Sequence, residues 1–178
     1  MAERQIHGFN YQRSIIELES LTEDMNYTGK WDAFCLEKEV PVSIKCIGIN
    51  GSVDFGDLKR QTEVQNDFIL YVGFWQKSKS NIVEEYKVLI KKENWDRYFG
   101  DKSIIQSMIE EMKGISNSYS DDSKWKEFRN KYIKLYGDSI ISLRFKRDHK
   151  KQKRIQCGIT RKNFMEVVLK DNEVIWKR

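Results

Sequence analysis

The chain has one proline and ten glycines in 178 residues, which argues against a string of modules joined by Pro- or Gly-rich linkers. Its three cysteines, Cys35, Cys46 and Cys157, are odd in number and too widely spaced for a CxxC knuckle. The two histidines, His7 and His149, are isolated, so the residues argue against a zinc site and for free thiols in a reducing compartment. Cys35 and Cys46 fall in apolar strand-like stretches and read as small packed hydrophobes. No GxxxxGK[ST], GxGxxG or GxSxG loop occurs, which removes the usual signatures of nucleotide hydrolysis, dinucleotide redox chemistry and serine hydrolysis. Nor does any run approach the roughly 18 apolar residues of a membrane span, and the start lacks an apolar segment of signal type. The expectation is a soluble, cytoplasmic protein.

What is present is a globular balance: 33% charged, 39% hydrophobic and 12% aromatic residues. That length and composition predict a single domain over 1–178. The net charge of +5 is unevenly placed. Residues 144–162 hold nine Lys/Arg against one acid, Asp148, a local +8 that leaves −3 for the rest. A polyanion is the natural partner of such a segment.

Hydrophobic spacing predicts a helix over 7–21, with Tyr11, Ile15 and Leu18 in one stripe, then a turn over 26–30. Two short strands follow, Trp31 to Leu36 and Pro41 to Ile47, with period-two patterning that sets Asp32 and Lys45 among apolar neighbours. Residues 48–57, rich in Gly and Asn, read as a loop, and 58–64 as a short helix. The nearly continuous apolar run 67–75 is what a strand covered on both faces looks like. A strand over 82–91, a short helix near 94–98, helices over 101–113 and 121–136, and two strands, 139–145 and 154–159, joined by a basic turn complete the main pattern. Residues 164–169 and 173–176 read as a last helical turn or strand pair. Tyr71, Trp75, Trp95 and Trp125 lie in apolar stretches and read as core. The fold class expected is α/β, a mixed central sheet flanked by helices with an added basic β-hairpin. Its core is placed at about 7–98, a helical insertion at about 101–136 and a basic strand region at about 139–178.

Asp32, ten residues, then Ser43-Ile44-Lys45 resembles the motif of the PD-(D/E)xK nuclease superfamily. The order helix, two antiparallel strands, crossover helix, covered strand over about 7–75 is similar to that family's restriction-endonuclease-like core. The resemblance implies a Mg²⁺ cofactor, with Asp32 and the Ile44 backbone carbonyl as metal ligands and Lys45 at the attacked phosphate. A phosphodiester needs cations at its non-bridging oxygens, and Mg²⁺ prefers oxygen ligands. Two positions depart from the pattern. Trp31 replaces the proline, and Ser43 stands where the second acid belongs, so a further ligand must come from elsewhere. Gly8-x-x-Tyr11-Gln12 is similar to the family's helix start with glutamine in place of glutamate, which ranks Gln12 first, followed by Asp57 and Glu17. Glu19 and Asp54 are further sources.

The resemblance implies an endonuclease cutting double-stranded DNA, most like a small type II restriction enzyme and acting as a homodimer because two strands must be cut. Phosphate contacts are expected from Lys59, Arg60 and Gln61 near the motif. The basic segment offers Arg144, Lys146, Arg147, Lys150, Lys151, Gln152, Lys153, Arg154, Arg161 and Lys162. Gln152 and Arg154 can also read base edges. Two alternatives stay open: a structure-selective, resolvase-like nuclease, and a catalytically silent DNA-binding module with the same fold.

Overall fold

The computed structural model describes residues 3–23, 30–76, 81–148 and 152–178. They form two compact units. The first comprises residues 1–53, 65–95 and 161–178, and the second 54–64 and 96–160. The expected grouping differs in two places: residues 54–64 pack with the later helices and basic strands, and residues 161–178 return to the first unit.

The first unit is built on a mixed sheet flanked by helices. Its strands are β1 (Thr22–Glu23), β2 (Ala33–Cys35), β3 (Val40–Gly48), β5 (Phe68–Gln76), β6 (Asn81–Ile90) and β9 (Glu173–Lys177), in the order β1-β2-β3-β5-β6-β9. β2 and β3 pair antiparallel, β3 and β5 parallel, and β5 and β6 antiparallel. β5 is the predicted covered strand: Phe68 to Phe74 are all buried. Helix α1 (Glu3–Leu18) seals one face, its Tyr11 and Ile15 joining Val42, Ile44, Ile69 and Tyr71 in a single core cluster. Gly73 makes that seat possible, because a Cβ there would stand 2.7 Å from the Tyr11 ring. Phe164 covers the opposite face, where its ring meets Phe74 and Tyr86. It belongs to a helical stretch made of α6 (Arg161–Asn163), a π-helical turn (Phe164–Val168) and α7 (Leu169–Asp171).

In the second unit β4 (Ser52–Asp57), β8 (Lys153–Thr160) and β7 (Ile141–Arg147) form a sheet in the order β4-β8-β7. β4 runs on from the border of the first unit into α2 (Leu58–Thr62), which Asp57 caps by accepting from the Arg60 amide at 3.2 Å. α3 (Lys92–Phe99) crosses the later border, α4 (Lys102–Gly114) is capped by Asp101, and a 3₁₀ turn (Tyr119–Asp121) precedes α5 (Asp122–Leu135). β7 and β8 pair antiparallel, with Arg144 opposite Gln156 and Phe145 opposite Ile155. Phe145 packs edge-on to Phe128 of α5 at 5.5 Å, which places α5 on the Phe145 face.

Two sequence readings need correction, and a third, between a helical turn and a strand pair, is resolved. Residues 48–57 are not all loop, because Val53 and Phe55 alternate as buried residues with Asp54 and Gly56 and the stretch pairs with β8. α1 starts earlier and stops sooner than 7–21, ending at Leu18 ahead of Ser20, whose φ is +51°. The terminal segment is a helical stretch followed by an edge strand paired with β6. Among the described residues no helix is long and apolar enough to cross a membrane.

Candidate active site

Asp32 stands one residue before β2, held there by its amide donating to Val42 O at 2.9 Å. This anchor sets the carboxylate against the middle of β3. Asp32 Oδ2 accepts three hydrogen bonds, from Ser43 Oγ at 3.2 Å, the Ile44 amide at 2.7 Å and Lys45 Nζ at 2.8 Å. The Asp32 and Lys45 side chains are each 23% exposed, so the pair lies at the surface with restricted access to water. Ser43 is buried. The N–H and C=O of one strand residue point to the same edge. Because the Ile44 amide turns toward Asp32, its carbonyl faces the same edge, past the start of β2.

Side chains alternate along β3. Val42 and Ile44 face α1, and Ser43 and Lys45 therefore face the other side. This arrangement separates Gln12 from the Asp32 cluster: its helix lies on the Val42 and Ile44 face. Glu17 is exposed on the same helix. Asp57 belongs to the second unit and serves as the cap of α2. Among the described residues no three His, Cys, Asp or Glu side chains are gathered as a metal-holding group.

A second polar cluster occupies the α1 face. Glu19, just beyond α1, pairs with Lys87 of β6 and accepts from the Tyr71 hydroxyl at 3.1 Å. The Lys87 ammonium also lies 5.4 Å from the Tyr71 ring centroid, and Trp176 meets that ring edge-on. Burial works to raise the Glu19 carboxyl, but Lys87, Tyr71 and Trp176 together hold it below its usual range. Glu19 was visible in the sequence as a further acidic ligand source. Its partner was not, since Lys87 lies 68 residues away with no local signal joining them.

The predicted basic residues divide sharply by surroundings. On α2, Lys59 and Arg60 are exposed, while Gln61 is buried and donates to Phe55 O at 2.9 Å. Arg144 pairs with Asp54 at 2.6 Å and Lys146 is exposed. Arg147 is turned inward, its side chain 2% exposed, paired with Asp122 at 2.8 Å, donating to Ser118 O and lying over the Trp125 ring. Lys153 donates to the Lys113 and Ile115 carbonyls, and burial lowers its pKa. Gln152 is exposed, and its amide donates to Asp148 at 2.9 Å. Arg161 grips Glu84 at 2.8 Å and lies over the Phe74 ring, and Lys162 faces Glu166 at 4.0 Å. Lys150 and Lys151 lie outside the described residues.

Compared with known proteins, the sequence matches no family model and no curated protein.

Proposed function

We propose that the protein is a Mg²⁺-dependent endonuclease of the PD-(D/E)xK type, hydrolysing phosphodiester bonds of double-stranded DNA as a homodimer in the manner of a small type II restriction enzyme. The observation that carries this reading is the convergence of Asp32, the Ile44 backbone and Lys45 at one point of the sheet edge. The surrounding order supports it: a helix, an antiparallel pair, a crossover containing α2, and a covered strand parallel to β3.

The oxygen donors here fit magnesium. Mg²⁺ keeps several waters and is held by one or two carboxylates together with substrate phosphate, so Asp32 and the Ile44 carbonyl make a minimal set. When bound, the ion supplies positive charge to the phosphate oxygens. The chain's own residues do the rest. Lys45 places an ammonium where charge develops on the scissile phosphate, and Asp32 fixes that ammonium. The Ser43 hydroxyl and Ile44 amide keep the Asp32 carboxylate from rotating away. Incubating supercoiled plasmid with the protein, with and without Mg²⁺, tests this reading. Cleavage that needs Mg²⁺ and vanishes in Asp32→Asn and Lys45→Ala is the expected result, and undiminished cleavage by both variants overturns it.

One observation favours a second reading, a catalytically silent DNA-binding module. Ser43 occupies the position of the second acid and donates to Asp32 as a neutral group. Mg²⁺-independent binding with no cutting of linear, supercoiled or branched DNA selects this reading. Cutting confined to branched DNA selects a resolvase-like nuclease.

A further inference from the structure

We infer that the face of the β4-β8-β7 sheet turned away from α5 is the surface that holds duplex DNA, through Arg144, Lys146 and Arg154, while Arg147 and Lys153 of the same segment serve the unit's interior. The inference rests on the DNA-directed reading above and deepens it.

Strand alternation decides the division. Phe145 and Arg147 point to α5, where they meet Phe128 and Trp125. Arg144 and Lys146 therefore project from the opposite face. In register, Arg144 stands opposite Gln156, and Lys146 opposite Arg154. Two adjacent strands thus place three cations on one side of the sheet, Arg144 and Lys146 exposed and Arg154 half-buried. Asp54 of β4 adds one carboxylate there, paired with Arg144 at 2.6 Å with both side chains more than two-fifths exposed. An exposed pair of that kind is worth little and exchanges readily for a phosphate.

The helical side carries exposed cations too, Lys126, Arg129 and Lys134 on α5 among them. Lys113, Lys124 and Lys131 each have a carboxylate within 3.1 Å, from Glu110, Asp121 and Glu111.

The test uses the full chain, a short fluorescein-labelled duplex of mixed sequence and a salt titration without Mg²⁺, read by anisotropy. Arg144→Gln/Lys146→Gln/Arg154→Gln should lower the slope of log affinity against log salt by about 2 to 3, near 0.9 for each phosphate no longer neutralised. Lys113→Gln/Lys124→Gln/Lys131→Gln removes the same charge from the helical side and should leave the slope within about 0.5 of the native value. Thermal unfolding of each variant confirms that the fold persists. Should the triple variant not fold, Lys146→Gln alone, at an exposed position, should lower the slope by about 1. An unchanged slope in the folded triple variant, or in Lys146→Gln where the triple variant does not fold, overturns the inference. So does an equal fall in the helical-side control. Failure of the nuclease reading shows separately, as absence of Asp32-dependent cleavage.

Discussion

Lys45 Nζ and Asp32 Oδ2 lie 2.8 Å apart across the β2–β3 junction, and the same carboxylate oxygen takes the Ile44 amide at 2.7 Å. One carboxylate thus fixes both a side-chain cation and a backbone amide. Replacement by asparagine keeps the shape but removes the charge, so on the proposed nuclease reading Asp32→Asn should fold and lower Mg²⁺-dependent cleavage by about 10²-fold or more. Asp32→Ala leaves the Ile44 amide and Lys45 without their acceptor and should also lower stability by about 1–3 kcal/mol. Plasmid cleavage and urea unfolding of the two variants separate these effects.

Ser43 Oγ lies 3.2 Å from Asp32 Oδ2 in a buried position. Ser43→Asp puts a second carboxylate beside the first, which costs stability through like-charge repulsion in the absence of a cation. A divalent ion relieves that repulsion. The variant should therefore unfold at lower temperature than the native protein without Mg²⁺ and gain more from added Mg²⁺. Thermal unfolding across a Mg²⁺ titration reads both shifts, and equal gains in the two proteins would count against the proposed cation site beside Ser43.

The Gly73 position sets how closely α1 approaches β5. A methyl group there meets three atoms of the Tyr11 ring at 3.0 Å or less, and that ring is itself buried. Gly73→Ala should cost about 1–3 kcal/mol by overpacking. Tyr11→Ala opens a cavity and should cost about 3–5 kcal/mol. The double variant should cost less than the sum, because the added methyl group then enters the vacated space. Denaturant unfolding of the four proteins measures the coupling.

How much of this could be read from sequence follows from the range of the interactions involved. The patterns that carry their own signal came through in part: the continuous apolar run became β5, Lys45 lies on β3 while Asp32 stands one residue before β2, and Tyr11 and Ile15 of the helix stripe are buried while Leu18 is 56% exposed. β4 did not, since its Gly and Asn neighbours argue for a loop and only pairing with β8, about a hundred residues later, makes Val53 and Phe55 a strand. The basic segment was legible as charge but not as geometry. Nothing local tells Arg147, sealed beneath Asp122 and Trp125, from Lys146 beside it in the open. Tertiary packing makes that distinction.

That distinction is measurable as stability. Arg147→Ala removes the Asp122 pair, the bond to Ser118 O and the stacking over Trp125 from a side chain 2% exposed. It should cost about 1–3 kcal/mol, chiefly through lost packing and the lost bond to Ser118 O because Asp122 stays solvated, whereas Lys146→Ala should change stability by no more than about 0.5 kcal/mol. Urea midpoints that coincide for the two variants would return Arg147 to the surface.

Glu19 ties the end of α1 to β5 and β6, and its environment makes the tie pH-dependent. Burial opposes ionisation, yet the Lys87 ammonium and the Tyr71 and Trp176 donors bring the carboxyl below its ordinary value of 4.5. The unfolded chain then holds the proton more tightly than the folded one. The stabilisation is present above the ordinary value and is lost as pH falls through the lower, folded one. Asp67, Glu111 and Asp121 are lowered as well and share the acid limb. Glu19→Gln should therefore flatten that limb in part, while lowering the unfolding temperature at neutral pH because Lys87, 13% exposed, loses its counter-charge. Unfolding temperatures of the two proteins from neutral pH down to about 3 should converge as Glu19 takes up its proton. A constant gap across that range would show that Glu19 contributes packing and not charge.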